Sequence, residues 1–165
     1  MAVADTSALS GILGPGPWSD RLDLSGIEEA WGSALPDEVK EISALYGDTL
    51  IDDFLFIYGP STMEEKGRWM SRYVEEGNSR LIVDPVLPHS GGMLYWGHTV
   101  EGDQLFLVPQ DDEGKWTVSA FRRGWGDWYS TNLGLISWLE GVFRGEIETD
   151  WLPEWPQRHT FERLR

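Results

Sequence analysis

The chain has 165 residues, the size of one ordinary domain, and its composition of 41% hydrophobic and 25% charged residues excludes a disordered polymer. Its 28 acidic against 13 basic side chains give a formal charge of −15, a surface that repels nucleic acid and anionic lipid alike, so neither is expected as a partner. The absence of cysteine removes disulfide frameworks, thiolate zinc sites and cysteine nucleophiles together, and ten tryptophans mark the chain as unusually rich in indole.

Met1 to Leu13 lacks the basic start and continuous apolar stretch of an export signal, and no later stretch approaches the roughly 18 apolar residues of a membrane span, so a cytoplasmic location is expected. Residues 1–17 read as a flexible tail, because they are rich in Ala, Ser, Gly and Pro and end in Gly14-Pro15-Gly16-Pro17. One domain over 18–165 is expected to follow. Ser25 with Glu28 forms a capping-box pattern before Ile27, Ala30 and Trp31 at helical spacing, with Gly32 as the stop. Pro36-Asp37-Glu38 opens a second helix whose apolar stripe is Val39, Ile42, Leu45 and Tyr46, ended by Gly47. Leu50 to Tyr58 reads as one strand. Ser61 with Glu64 suggests a second capping box, and Met63, Met70, Tyr73 and Val74 carry a helix to Gly77. A short strand is expected at Leu81 to Val83. Strands at Met93 to Trp96, Gln104 to Val108 and Lys115 to Phe121, joined by the turns 101–103 and 111–114, predict an antiparallel meander, with an edge piece at Trp128 to Ser130. Leu135, Ile136, Leu139, Val142 and Phe143 predict a last amphipathic helix ending at Gly145. The order predicts a single α+β domain: N-terminal helices, a central antiparallel sheet and a C-terminal helix.

Several of these pieces together resemble the SUKH superfamily. Leu35-Pro36-Asp37 starting a helix, Tyr46-Gly47 ending it and Ile51-Asp52-Asp53-Phe54 opening a strand are similar to that superfamily's N-terminal half. Leu94-Tyr95-Trp96-Gly97-His98-Thr99, then Gly102-Asp103-Gln104-Leu105-Phe106, resembles its central hairpin, Trp116 its next strand, and Ile136-Ser137-Trp138-Leu139 through Gly145 its closing helix. The likeness spans roughly residues 25 to 147 and rests on order and spacing, since no single motif is specific. It departs at Tyr95, where the family often has proline, and in the helix over 61–77, a stretch the family varies. The resemblance implies an α+β binding domain without catalysis, of the kind found in fungal cell-wall regulators and in bacterial immunity proteins that neutralise toxins, many of them nucleases.

The residues themselves support no catalytic assignment. His89, His98 and His159 are scattered without metal-ligand spacing, no phosphate-cradling or nucleophile-elbow motif occurs, and no serine has an obvious His and acid partner, so no cofactor and no metal are expected. Trp31, Trp96, Trp116 and Trp138 fall on apolar faces or strands and are expected in the core. Trp125 and Trp128, in Gly124-Trp125-Gly126-Asp127-Trp128, read as exposed interface anchors, against simple packing over the sheet edge. Acids cluster near strand ends. Residues 1–60 carry 11 acids and two bases, whereas 61–82 carry four of each, so the negative field is uneven. Asp52, Asp53, Glu101 and Asp103, with Trp125 and Trp128 beside them, are therefore the candidate partner-binding residues. Three readings stay open: an immunity protein neutralising a basic toxin domain such as a nuclease, a regulatory or scaffold domain of the same fold, and a carbohydrate-binding or glycan-processing protein using its tryptophans and carboxylates.

Overall fold

A computed structural model describes residues 4–112 and 114–164. Five helices and seven strands follow one another as α1 (Ser7–Leu13), α2 (Ser25–Trp31), α3 (Asp37–Tyr46), β1 (Thr49–Ile51), β2 (Leu55–Ile57), α4 (Pro60–Glu75), β3 (Leu94–Thr99), β4 (Gln104–Pro109), β5 (Trp116–Arg122), β6 (Asp127–Ser130), α5 (Leu135–Phe143) and β7 (Phe161–Arg163). The strands form one antiparallel sheet in the order β6-β5-β4-β3-β2-β1-β7. The α+β class, the meander and the closing helix stand as expected, in one domain.

Cross-strand partners share a face. Leu105 with Ala120 and Leu107 with Val118 therefore line one face, while Gln104 with Phe121 and Phe106 with Ser119 line the other. The first face packs on α5, which in turn meets α1 and α3; the second lies under α4, against which α2 is laid. Trp31 of α2 reaches the backbone of α4 because position 67 is glycine: a Cβ there would come within 2.8 Å of the indole.

Several expectations are corrected. Residues 7–13 are no tail. Leu9, Ile12 and Leu13 make a helical stripe whose two leucines are buried, and α1 packs on α5. The Gly-Pro run ends that helix instead of announcing disorder, and the Tyr46 hydroxyl donates to Gly14 O at 2.7 Å, holding the connection to the body. The expected strand 50–58 is two strands, because Asp52 and Asp53 take φ of 53° and 56° in the three-residue connection 52–54, where Phe54 N donates to Ile51 O and Ile51 pairs with Leu55. Asp tolerates that left-handed conformation better than most residues. Neither capping box forms. Leu24 and Gly59 precede α2 and α4, Glu28 instead accepts from Leu35 N at 2.8 Å, and Glu64 pairs with Arg68 one turn on. Pro36 stands one residue before α3, whose first residue is Asp37. No strand forms over 81–83, where Leu81 and Val83 are exposed. The turn residue Glu113 lies outside the described residues.

Beyond α5 the chain runs without regular structure and returns as β7 along β1, an edge strand that the sequence pattern did not reveal. Aromatic contacts hold this return. Trp151 stacks on Trp138, Trp155 lies on Phe143 and Phe54, and Phe161 stacks on Tyr46.

Candidate interaction surface

Register decides which loops meet. Leu55 pairs with Thr99 and Gln104 with Phe121, so the β1–β2, β3–β4 and β5–β6 connections all emerge at one end of the sheet. The structure thus brings residues 52–54, 100–103 and 123–126 to the same end.

The side chains divide. Asp53 and Glu101 are exposed. Asp52 is not: its carboxylate is 2% exposed, sits 2.6 Å from His159 Nδ1 and accepts from Thr160 N at 2.8 Å, tying the C-terminal return to the β1–β2 turn. Asp103 is buried as well, accepting from Thr99 Oγ1 at 2.7 Å and closing its own turn. Two of the four nominated acids therefore hold the scaffold. Asp103 is buried by bonds within its own turn and Asp52 by the C-terminal return that reaches it, and composition encodes neither.

Trp125 and Trp128 separate in the same way. Trp125 is 55% exposed and lies over the Arg122 guanidinium, 4.5 Å from the ring centroid. Trp128 is half-buried: its indole N–H donates to Leu81 O at 2.9 Å and its ring covers Phe106 and Phe121. It packs over the sheet edge and is not a free anchor. Arg122 grips Asp127 with two hydrogen bonds of 2.7 Å and reaches Asp150 at 3.2 Å. Those bonds hold the guanidinium above its ordinary pKa and the Asp127 carboxyl below its own. Arg123 lies across Gly102, where a Cβ would meet its Cδ at 2.8 Å. Val100, 54% exposed, adds a second apolar group to this end.

A second feature was missed from sequence. β3 carries a bulge between Tyr95 and Gly97, so its strict alternation breaks and His98 joins Tyr95 on the α4 face, both touching Tyr58. Burial, with Lys66 nearby, pushes the His98 pKa below its ordinary value, and its Nδ1 shares a hydrogen bond of 2.7 Å with the Tyr58 hydroxyl. Burial likewise raises both Tyr58 and Tyr95. Tyr95 in turn meets Tyr58 on one side and Gln104 on the other. Trp69 of α4 stands beside this row, 56% exposed. One signal was available: Trp69 lies one turn before Tyr73, at the margin of the Met63–Met70–Tyr73–Val74 stripe, where an amphipathic helix turns from core to water.

The three histidines occupy three separate places, His89 on Glu75, His98 on Tyr58 and His159 on Asp52. Among the described residues, no group of three or more His, Cys, Asp or Glu side chains converges as a metal site would. Among the same residues no helix is long and apolar enough to cross a membrane. No protein-family model, no curated protein and no solved structure matches this chain.

Proposed function

We propose that this chain is a protein-binding domain that acts without catalysis, an immunity protein of the SUKH kind that neutralises a basic toxin by covering it with one end of its sheet. The observation that carries the reading is the convergence of three connections, 52–54, 100–103 and 123–126, which presents exposed Asp53, Glu101, Val100 and Trp125 at one end of the sheet, with exposed Arg123 among them. Apolar groups and carboxylates at one sheet end suit an interface in which aromatic anchors supply affinity and charge supplies rate. The overall charge of −15 favours a basic partner, and a nuclease must be basic where it grips phosphate. The resemblance of residues 25 to 147 to that superfamily supplies the toxin class.

The test is co-expression with the product of the adjacent gene, followed by association kinetics on the purified pair. Rescue of growth is expected, with an association rate that falls as salt rises. Asp53→Lys with Glu101→Lys should slow association and flatten the salt dependence, while Trp125→Ala should speed dissociation. A rate that is flat from low to physiological salt would mean that the acids at this end only keep the protein soluble.

A further inference from the structure

The α4 face of the sheet holds a hollow of about 350 Å³ bordered by Glu65, Lys66, Trp69, Tyr95 and Gln104. That volume lies near the lower end of the roughly 300–1,000 Å³ typical of small-molecule sites. From this lining we infer a binding site for a neutral saccharide unit, stacked on Trp69, floored by Tyr95 and hydrogen-bonded at its rim by Lys66, Glu65 and Gln104.

The indole is already in place. Tyr73, one turn C-terminal to it, stacks on Trp69 with centroids 5.0 Å apart and planes 18° apart. Glu65 and Lys66, one turn toward the N-terminus, border the hollow together with Trp69, which also borders a second hollow with Arg68 and Arg72, and the Tyr73 stack braces its ring. An aromatic platform held in this way loses little rotamer freedom on binding. The floor is fixed too. Tyr95 is 6% exposed, stacks on Phe106 and is held through Tyr58 to His98, which keeps its ring in one orientation.

The polar groups define the ligand. Lys66 only donates, Glu65 only accepts, and Gln104 does either. A ring carrying several hydroxyls answers all three at once, since each hydroxyl both donates and accepts, and its C–H face matches the flat indole. The charges of Lys66 and Glu65 cancel locally, so the hollow selects neither an anion nor a cation, while the overall −15 works against an anionic ligand. A plain aromatic ring would stack equally well but would leave the rim unanswered. The inference does not rest on the toxin reading, because its residues lie on the sheet face beside α4 and not on the connections at the sheet end.

The full-length protein would be titrated, by saturation-transfer NMR and calorimetry, with the neutral trisaccharides cellotriose, maltotriose, laminaritriose and chitotriose, with a galacturonate trisaccharide, and with phenol. At least one neutral trisaccharide should bind, and Trp69→Ala should weaken it about tenfold or more. Lys66→Met should weaken it less, and Leu164→Ala, a similarly exposed apolar position just beyond the far edge strand, should leave it unchanged. Because Trp69 is exposed, its removal should not alter the unfolding midpoint. Binding of phenol alone, binding of the galacturonate alone, binding that survives Trp69→Ala, or no binding at about 10 mM ligand would each overturn the inference.

Discussion

The two faces of the sheet use aromatic residues in opposite ways. Under α5, indoles pack on one another: Trp96 meets Trp138 edge-on, Trp138 stacks on Trp151, and the indole N–H groups of Trp96 and Trp151 find no hydrogen-bond partner. Under α4, the row from Phe56 through Tyr58, His98 and Tyr95 to Phe106 and Trp128 satisfies its polar tips, and Trp69 and Gln104 beside it open to solvent. A buried donor without a partner costs free energy that dense packing must offset, so the first face tolerates the loss for the sake of shape. The second spends most of its polar atoms on a defined network, although the indole N–H of Trp31, packed against α4, is also without a partner among the described residues. The α5 face is built for stability and the α4 face leaves room for recognition.

The sharpest way to break that distinction is to truncate one indole on each face. Trp138→Ala should cost about 3–5 kcal/mol and lower the unfolding midpoint by roughly 6–20 °C, while Trp69→Ala stays within about 0.5 kcal/mol. Similar losses at both positions, measured by thermal unfolding, would erase the contrast.

The acids at the sheet end allow the next comparison. Asp52→Lys strips His159 and Thr160 N of their partner and should cost on the order of 3 kcal/mol in urea unfolding. Asp53→Lys, one residue on and exposed, should cost no more than about 1 kcal/mol, mainly for a longer side chain at positive φ. Equal costs would place Asp52 among the free surface acids after all.

Leu9→Ala tests whether α1 belongs to the α5 side, and a loss of about 2–3 kcal/mol is expected. A change near zero would return residues 7–13 to the status of an appendage.

The smallest effect is a pH dependence on the α4 side. In the unfolded chain His98 takes up a proton at its ordinary value of 6.5, whereas burial keeps the native ring neutral to lower pH. Below 6.5 the unfolded state therefore binds more protons, and native stability falls as pH falls. His98→Gln keeps a hydrogen-bonding group for Tyr58 without titrating, so the difference in unfolding free energy between it and the wild type should change between pH 7.5 and 5.5, to the disadvantage of the wild type. Parallel curves would show that His98 is solvated in the native protein.

What sequence made legible here was periodicity and punctuation. The stripe Val39–Ile42–Tyr46, the 3.6-residue pattern after Gly134 and the turn at 101–103 are local, and each appears where it was expected, within a residue or so. Trp31, Trp96 and Trp138 are buried for the same reason, since each lies on an apolar face of its own element. Trp116 is only half-buried, at the start of its strand. Of the six candidate partner-binding residues, the exposed ones are Asp53, Glu101 and Trp125; Asp52 and Asp103 are buried by their hydrogen bonds, and Trp128 is half covered. Nothing near Asp52 in sequence distinguishes it from Asp53, because the group that buries it, His159, arrives 107 residues later.

By itself, then, the sequence determined the class of fold, most helices, the meander and the lopsided charge, because these follow from side-chain spacing and composition within short windows. Only tertiary structure decided that the N-terminal segment is a helix packed on α5, that the C-terminus returns as an edge strand, and that a one-residue bulge carries His98 to the α4 face. Each of these depends on contacts between residues far apart in the chain, and a pattern read along the chain holds no term for them.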